Sequence, residues 1–260
     1  MAIRGNSEHM VSVPTIGQSD SRLLPAIRLS SRAPVEGPER ELVASFLARG
    51  VRRARRGTNV TAFIEPRLET GFPDIVVAYW RPKVFEAWDE SRSSLAVDDV
   101  RILHFLHGVR GADMETLCRL LDPKRRKVAE SLERLRLAKL VRYRCGVWVP
   151  RALSSMFGIS DLVAVEAKVR DWQTALEQAH FNRWFASMSY VLLPATSLRG
   201  AVLERATAYG VGIIGRGRNG QLAEVLASAV DNVPRSYGSW MFNEWVGRSI
   251  AYGKARGRRR

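Results

Sequence analysis

Residues 162–165, Leu-Val-Ala-Val, form an unbroken apolar run that stops abruptly on Glu166-Ala167-Lys168. A strand this apolar has to be covered on both faces, which restricts the chain to folds with helices packed on either side of a sheet. The flanking sequence agrees. Asp171 is placed to cap a following helix whose inner face is Trp172, Ala175, Leu176 and Ala179. Strands expected at 190–193 and 211–214 then alternate with helices expected at 199–208 and 221–229. Upstream, residues 38–49 predict a helix: Pro38 suits its first turn, Leu42, Val43, Phe46 and Leu47 share one face, and Gly50 follows as a stop. Strands at 60–64 and 75–80, separated by Pro66, Gly71 and Pro73, read as a hairpin. The expected class is α/β, with a mixed central sheet flanked by helices.

Between these halves the texture changes. Leucine-rich helical periodicity fills 95–140, and a short two-stranded wing with Gly146 at its turn closes the segment at 150. The chain therefore divides into a remnant-like leader (1–10) and flexible arm (together 1–37), a core in two parts (38–94 and 151–250), an insertion (95–150) and a basic tail (251–260).

Charge narrows the function. Forty-one Lys+Arg against 26 Asp+Glu give a formal +15 and an isoelectric point near 10.7, which calls for a polyanionic partner. No stretch approaches the ~18 apolar residues of a membrane span and no secretory signal opens the chain, so no membrane is expected and the location is cytoplasmic. Cys118 and Cys145 are too few for a disulfide framework. His104 and His107 could share a helix face but lack further zinc ligands.

The chemistry-bearing residues are Pro73-Asp74 at the start of one strand and Glu166-Ala167-Lys168 at the end of another. In this order, after a helix and before the Asp171–Ala179 segment, they resemble the PD-(D/E)XK nuclease superfamily, in particular its RecB-like members. The resemblance covers roughly residues 38–80 and 160–215 and implies a restriction-endonuclease-like core. It also implies a Mg2+ or Mn2+ ion held by Asp74, Glu166 and the carbonyl of Ala167. Hard cations prefer such oxygen ligands, and phosphodiester hydrolysis uses them to polarise phosphate and activate water. Lys168, two residues from Glu166 and so on the same strand face, would stabilise developing negative charge or orient the nucleophile.

The family often adds a glutamate from the first helix. Glu39 falls on the apolar face and Glu41 nearly opposite, so Glu39 is preferred, its alternative being an ordinary first-turn acid. Gln178 resembles the RecB-like glutamine, although Asn182 stands where an aromatic residue is usual. About ninety residues between the two motifs, where the family has few, fit an inserted module.

That insertion resembles a winged helix-turn-helix. Its third helix opens on Lys124-Arg125-Arg126-Lys127, with Arg142 and Arg144 on the wing beside Trp148; these six basic residues are expected to contact DNA, the alternative being a solvated basic face on a protein-interaction winged helix. Gly215-Arg216-Gly217-Arg218-Asn219-Gly220 formally matches a dinucleotide fingerprint but lacks its βαβ setting, and reads better as a turn or backbone contact. Trp240, Phe242 and Trp245 are expected in the core. The resulting expectation is a metal-dependent DNA endonuclease acting on duplex DNA in restriction, phage defence or repair, with a homodimer left open. The alternatives are a DNA-binding regulator with an inactive nuclease fold, and a nuclease for RNA or for branched or single-stranded DNA.

Overall fold

The computed structural model describes residues 13–17, 30–32, 36–69, 71–88 and 90–257, with side chains to residue 251 apart from that of Glu90. They fall into two compact units, one of residues 13–80 and 160–234, the other of 81–159 and 235–257. The leader 1–10 and the final residues 258–260 lie outside the described residues.

The first unit is built on a seven-stranded mixed sheet: β1 (Thr15–Ile16), β2 (Asn59–Ile64), β3 (Ile75–Trp80), β6 (Ile159–Ala167), β7 (Met188–Pro194), β8 (Gly212–Arg216) and β9 (Leu222–Leu226), in that spatial order. β2 and β3 form the expected antiparallel hairpin, with Ile64 opposite Ile75. β6, β7 and β8 run parallel. Ala167 lies at the Asp74 end of β3 and Ser160 at the Tyr79 end, so β3 and β6 are antiparallel.

Side-chain alternation sends the two sheet faces to different helices. Val165, Ala167, Tyr190 and Leu192 join Leu42 and Phe46 of helix α1 (Pro38–Arg49). Val191 and Leu193 instead join Ala175, Leu176 and Ala179 of α7 (Trp172–Asn182) and Val202 and Ala206 of α8 (Gly200–Tyr209). In β6, Leu162 and Ala164 on one face and Val165 on the other are fully buried, and Asp171 caps α7 by accepting from the Thr174 N–H at 3.1 Å.

Two expectations fail in this unit. Residues 221–229 are not helical. Leu222, Glu224 and Leu226 turn inward at a spacing of two and pair antiparallel with β8, so sheet pairing overrides the helix propensity of Gln-Leu-Ala-Glu-Val-Leu. The glycine-rich segment is accordingly a hairpin loop, tied by Gly217 N–H to Gln221 O at 2.8 Å. The arm is not structureless where it is described: β1 pairs parallel with β2, and Arg32 N–H donates to Glu65 O.

The second unit contains α2 (Pro82–Glu86), α3 (Val97–Val109), α4 (Met114–Leu120), α5 (Arg125–Leu137), the hairpin β4 (Val141–Arg144) and β5 (Val147–Pro150), α6 (Leu153–Met156) and α9 (Tyr237–Gly257). Cys145 and Gly146 both have positive φ (49° and 82°) at the hairpin turn, the geometry of a two-residue type I′ connection. Ala112, between α3 and α4, exchanges two backbone hydrogen bonds with Trp148 of β5. Buried Asp99 takes both Nε and Nη2 of Arg134 at 2.8 Å, tying α3 to α5.

This unit is larger than the expected 95–150 insertion. Residues 237–257, assigned from sequence to the catalytic core and tail, form a 21-residue helix that packs on α3. Trp240, Phe242 and Trp245 are buried there. His104 and His107 face the same segment: His104 Nε2 meets Arg235 O, and the His107 ring lies 5.7 Å from Trp240. They are packing residues. Below them Glu244 meets Arg92 at 2.5 Å with both side chains buried, and the Arg92 guanidinium stacks on Trp88. A Cβ at Gly247 would stand 2.2 Å from the same indole. Glu244→Ala would strand the Arg92 charge in the interior, and a loss of about 3–5 kcal/mol is expected; urea unfolding of wild type and variant measures it.

Candidate active site

Four segments converge at the end of the sheet where β6 stops. Asp74 opens β3, and its Oδ2 accepts the Ala167 N–H at 2.7 Å, so a side chain of one strand caps the backbone of the next. Glu166 is 3 % exposed and its Oε1 accepts from Asn182 Nδ2 at 2.6 Å. Lys168 lies just past the strand and its Nζ reaches Glu39 Oε2 of α1 at 3.3 Å. Strand alternation predicts Glu166 and Lys168 on one face. Instead Glu166 turns to α7 and the ammonium reaches α1, because regular pleating has ended at Ala167.

The helix-phase choice of Glu39 over Glu41 agrees with this contact, which Glu39 makes and Glu41 does not. Glu39→Gln is expected to slow any reaction at this site by roughly tenfold, the scale of about 1.4 kcal/mol, with Glu41→Gln neutral. Parallel rate measurements on the two variants check it.

Three contributors were not singled out from sequence. Asn182, noted only as a departure from the RecB-like pattern, holds Glu166. Glu65, buried and at φ 45°, donates its backbone N–H to Asp74 O and pairs its carboxylate with Arg32 Nε at 2.5 Å. Arg32 itself comes from the arm and lies 5.5 Å from the Phe72 ring. The hairpin register contains the signal for Glu65: with Ile64 opposite Ile75, residue 65 stands opposite 74. Gln178 is exposed on α7 and lines, with Glu166, Asn182 and Phe72, a cleft of about 270 Å³. It makes no hydrogen bond to Glu166.

The electrostatics are those of crowded negative charge. Burial, then the neighbouring Asp74 charge, pushes the Glu166 carboxyl up to about 8 against the pull of Asn182 and Lys168. Asp74 is also raised, by burial first, with the Glu65 and Glu39 charges adding to it and the Ala167 N–H and Lys168 opposing. Burial pulls the Lys168 ammonium down, but Asp74, Glu39 and Glu166 together outweigh it and hold the proton more firmly. A carboxyl raised in the folded state favours the fold below its unfolded value near 4.5, and that advantage is lost as pH rises to about 8. Glu166→Gln is therefore expected to raise the melting temperature at pH 8 by more than at pH 5. Thermal melts at the two pH values measure the difference.

Asp74 Oδ1 and Glu166 Oε2 accept no hydrogen bond from the described residues. Two buried carboxylates with an oxygen each to spare suit a hard cation that relieves their repulsion. No group of three or more His, Cys, Asp or Glu side chains among the described residues is set to hold a metal ion, so side chains alone do not complete a cage here.

The basic residues of the second unit are exposed. Lys124 occupies the N-cap position of α5 without a side-chain cap bond, and Arg125, Arg126 and Lys127 fill its first turn, where the helix dipole repels cations. Arg126 is compensated by Glu130 at 2.9 Å. Lys124, Arg125, Arg142 and Arg144 form no ion pair among the described residues. Tyr143 stacks beside Trp148 on the hairpin, ring centroids 5.1 Å apart. No helix of the described residues is long and apolar enough to cross a membrane. Compared with known proteins, the chain matches no family model, and no curated protein or solved structure gives a match.

Proposed function

We infer that the chain is a metal-dependent DNA endonuclease of the PD-(D/E)XK type, with a winged helix module that binds duplex DNA. The observation that carries this reading is the convergence of Asp74, Glu166, Lys168 and Glu39, from three segments, on one end of a mixed sheet. Asp74 and Glu166 would hold Mg2+ or Mn2+, with the Ala167 carbonyl as the third ligand that the two side chains lack. The ion, when bound, supplies a Lewis acid for phosphate and water. Lys168 presents a firmly held positive charge where negative charge develops on phosphate, and Glu39 orients its ammonium. Asn182 fixes the Glu166 rotamer, and Gln178 at the mouth of the cleft is available to the substrate.

Support for duplex binding is the uncompensated charge of the second unit. Cations in the first turn of α5 work against their own helix dipole, whereas a phosphate there is favoured by both dipole and cations. Three helices, a hairpin wing and the Ala112–Trp148 pairing are consistent with a winged helix. A panel of plasmid, linear duplex, single-stranded, branched and RNA substrates, with and without Mg2+, tests the reading. Duplex cleavage only with metal is expected. One observation favours a second reading, a DNA-binding regulator on an inactive nuclease fold: the high Glu166 proton affinity leaves that carboxyl neutral near pH 7 in the metal-free state. Duplex binding without cleavage of any substrate would select it.

A further inference from the structure

At the Ser160 end of β6 the sheet unit holds a second concavity, of about 530 Å³. Its walls are mainly apolar, with Phe46, Val77, Val163, Met188 and Leu222 among them. Two phenols stand in it with their hydroxyls engaged: Tyr79 Oη donates to Arg52 O at 2.9 Å and Tyr190 Oη to Glu224 Oε1 at 2.7 Å. Burial raises both to about 12, so they present neutral rings.

The rim is charged. Arg52 is committed, with one Nη 2.8 Å from each Glu224 oxygen, and Arg49 donates to Gly220 O. Arg53 and Arg55 line the same cavity, are exposed, and make no ion pair among the described residues. Asp161 is the remaining rim acid, so four arginines face two carboxylates. The cavity shares no lining residue with the Glu166 cleft. Asp161 and Glu166 are five residues apart on β6, roughly 16 Å.

Cavities of 300–1,000 Å³ with apolar walls and a few convergent polar groups are the usual form of a small-ligand site. We propose that this cavity binds a small amphipathic anion, its apolar body seated among Phe46, Val77, Val163 and Met188 and its acidic head taken by Arg53 and Arg55. The committed pairs around it fix the walls. Arg52 is locked by its Glu224 pair and by the Tyr79 hydroxyl on its carbonyl, which leaves the two unpaired guanidiniums as the groups that gain a partner on binding. The site is independent of the phosphodiester chemistry inferred above and stands if that chemistry fails.

The test uses the full chain and two probes of similar shape, 1-anilinonaphthalene-8-sulfonate and the uncharged N-phenyl-1-naphthylamine, titrated by fluorescence. Wild type is expected to bind the sulfonate saturably at one site, tenfold or more tighter than the uncharged probe. Arg53→Ala with Arg55→Ala should weaken the sulfonate about tenfold and leave the uncharged probe unchanged, while Val163→Trp should weaken both by filling the cavity. Arg53 and Arg55 are exposed, so the arginine variant decides the matter even where Val163→Trp fails to fold. Absence of saturable one-site binding, or wild-type sulfonate affinity in the arginine variant, overturns the proposal. So does wild-type affinity in a folded Val163→Trp protein.

Discussion

Lys168→Ala is expected to lower the rate of duplex cleavage by roughly 10²–10³-fold, the cost of removing one preorganised group from developing negative charge, and Asp74→Ala to bring it below detection. Duplex affinity should stay within a few-fold in both. The reason is a division of labour. Lys168 sits against three carboxylates that hold its charge in place, whereas affinity for a polyanion comes from cations that displace counterions along the backbone. Asp74 also accepts the Ala167 N–H, so its variant must first be shown to melt like wild type. Single-turnover cleavage and filter binding on the same preparations separate the two effects. Undiminished cleavage by either variant would remove these residues from the site.

The second large effect follows from the boundaries of the units. Ser160 Oγ donates to Tyr79 O at 3.1 Å, so a short linker can join Trp80 to Ser160. A chain joined there and ended at Pro234 should fold as the sheet unit alone and lose duplex affinity by a hundredfold or more at physiological salt. Removing only 95–150 should instead leave the remainder of the second unit unfolded, because α9 would lose the α3 surface that covers Trp240, Phe242 and Trp245. Segment 95–150 carries twelve Lys+Arg against seven Asp+Glu. The point variant Arg125→Glu with Arg126→Glu should weaken binding and flatten its log-salt slope by about one per lost phosphate contact. Titrations at several salt concentrations read both. Unchanged affinity and slope would move the DNA contacts to the Arg52–Arg56 loop.

What the sequence made legible was local. Helix α1, the β2–β3 hairpin, the cap of α7 and the apolar strand ending on Glu-Ala-Lys are each set by residues within about two dozen positions of one another, and each stands within a few residues of where periodicity puts it. Residues 221–229 were misread because β8 pairing, a contact across a tight loop, outweighs propensity. The length and packing of α9 depend on α3, more than 130 residues upstream, and no local pattern reports that. In the candidate site, Asp74, Glu166, Lys168 and Glu39 were readable from motif and helix phase. Arg32 was not, because it lies in a segment without periodicity and is held by a single buried glutamate.

Asp74, Glu166 and Lys168 are proposed to form a metal-dependent site that hydrolyses DNA. Supercoiled plasmid incubated with the purified chain tests it most directly, with Mg2+ or Mn2+, with excess chelator, and with Lys168→Ala in parallel. Nicked and linear products are predicted with the wild-type chain and metal only. Intact plasmid under every metal condition, cleavage that survives chelator, or cleavage by Lys168→Ala at the wild-type rate would contradict it.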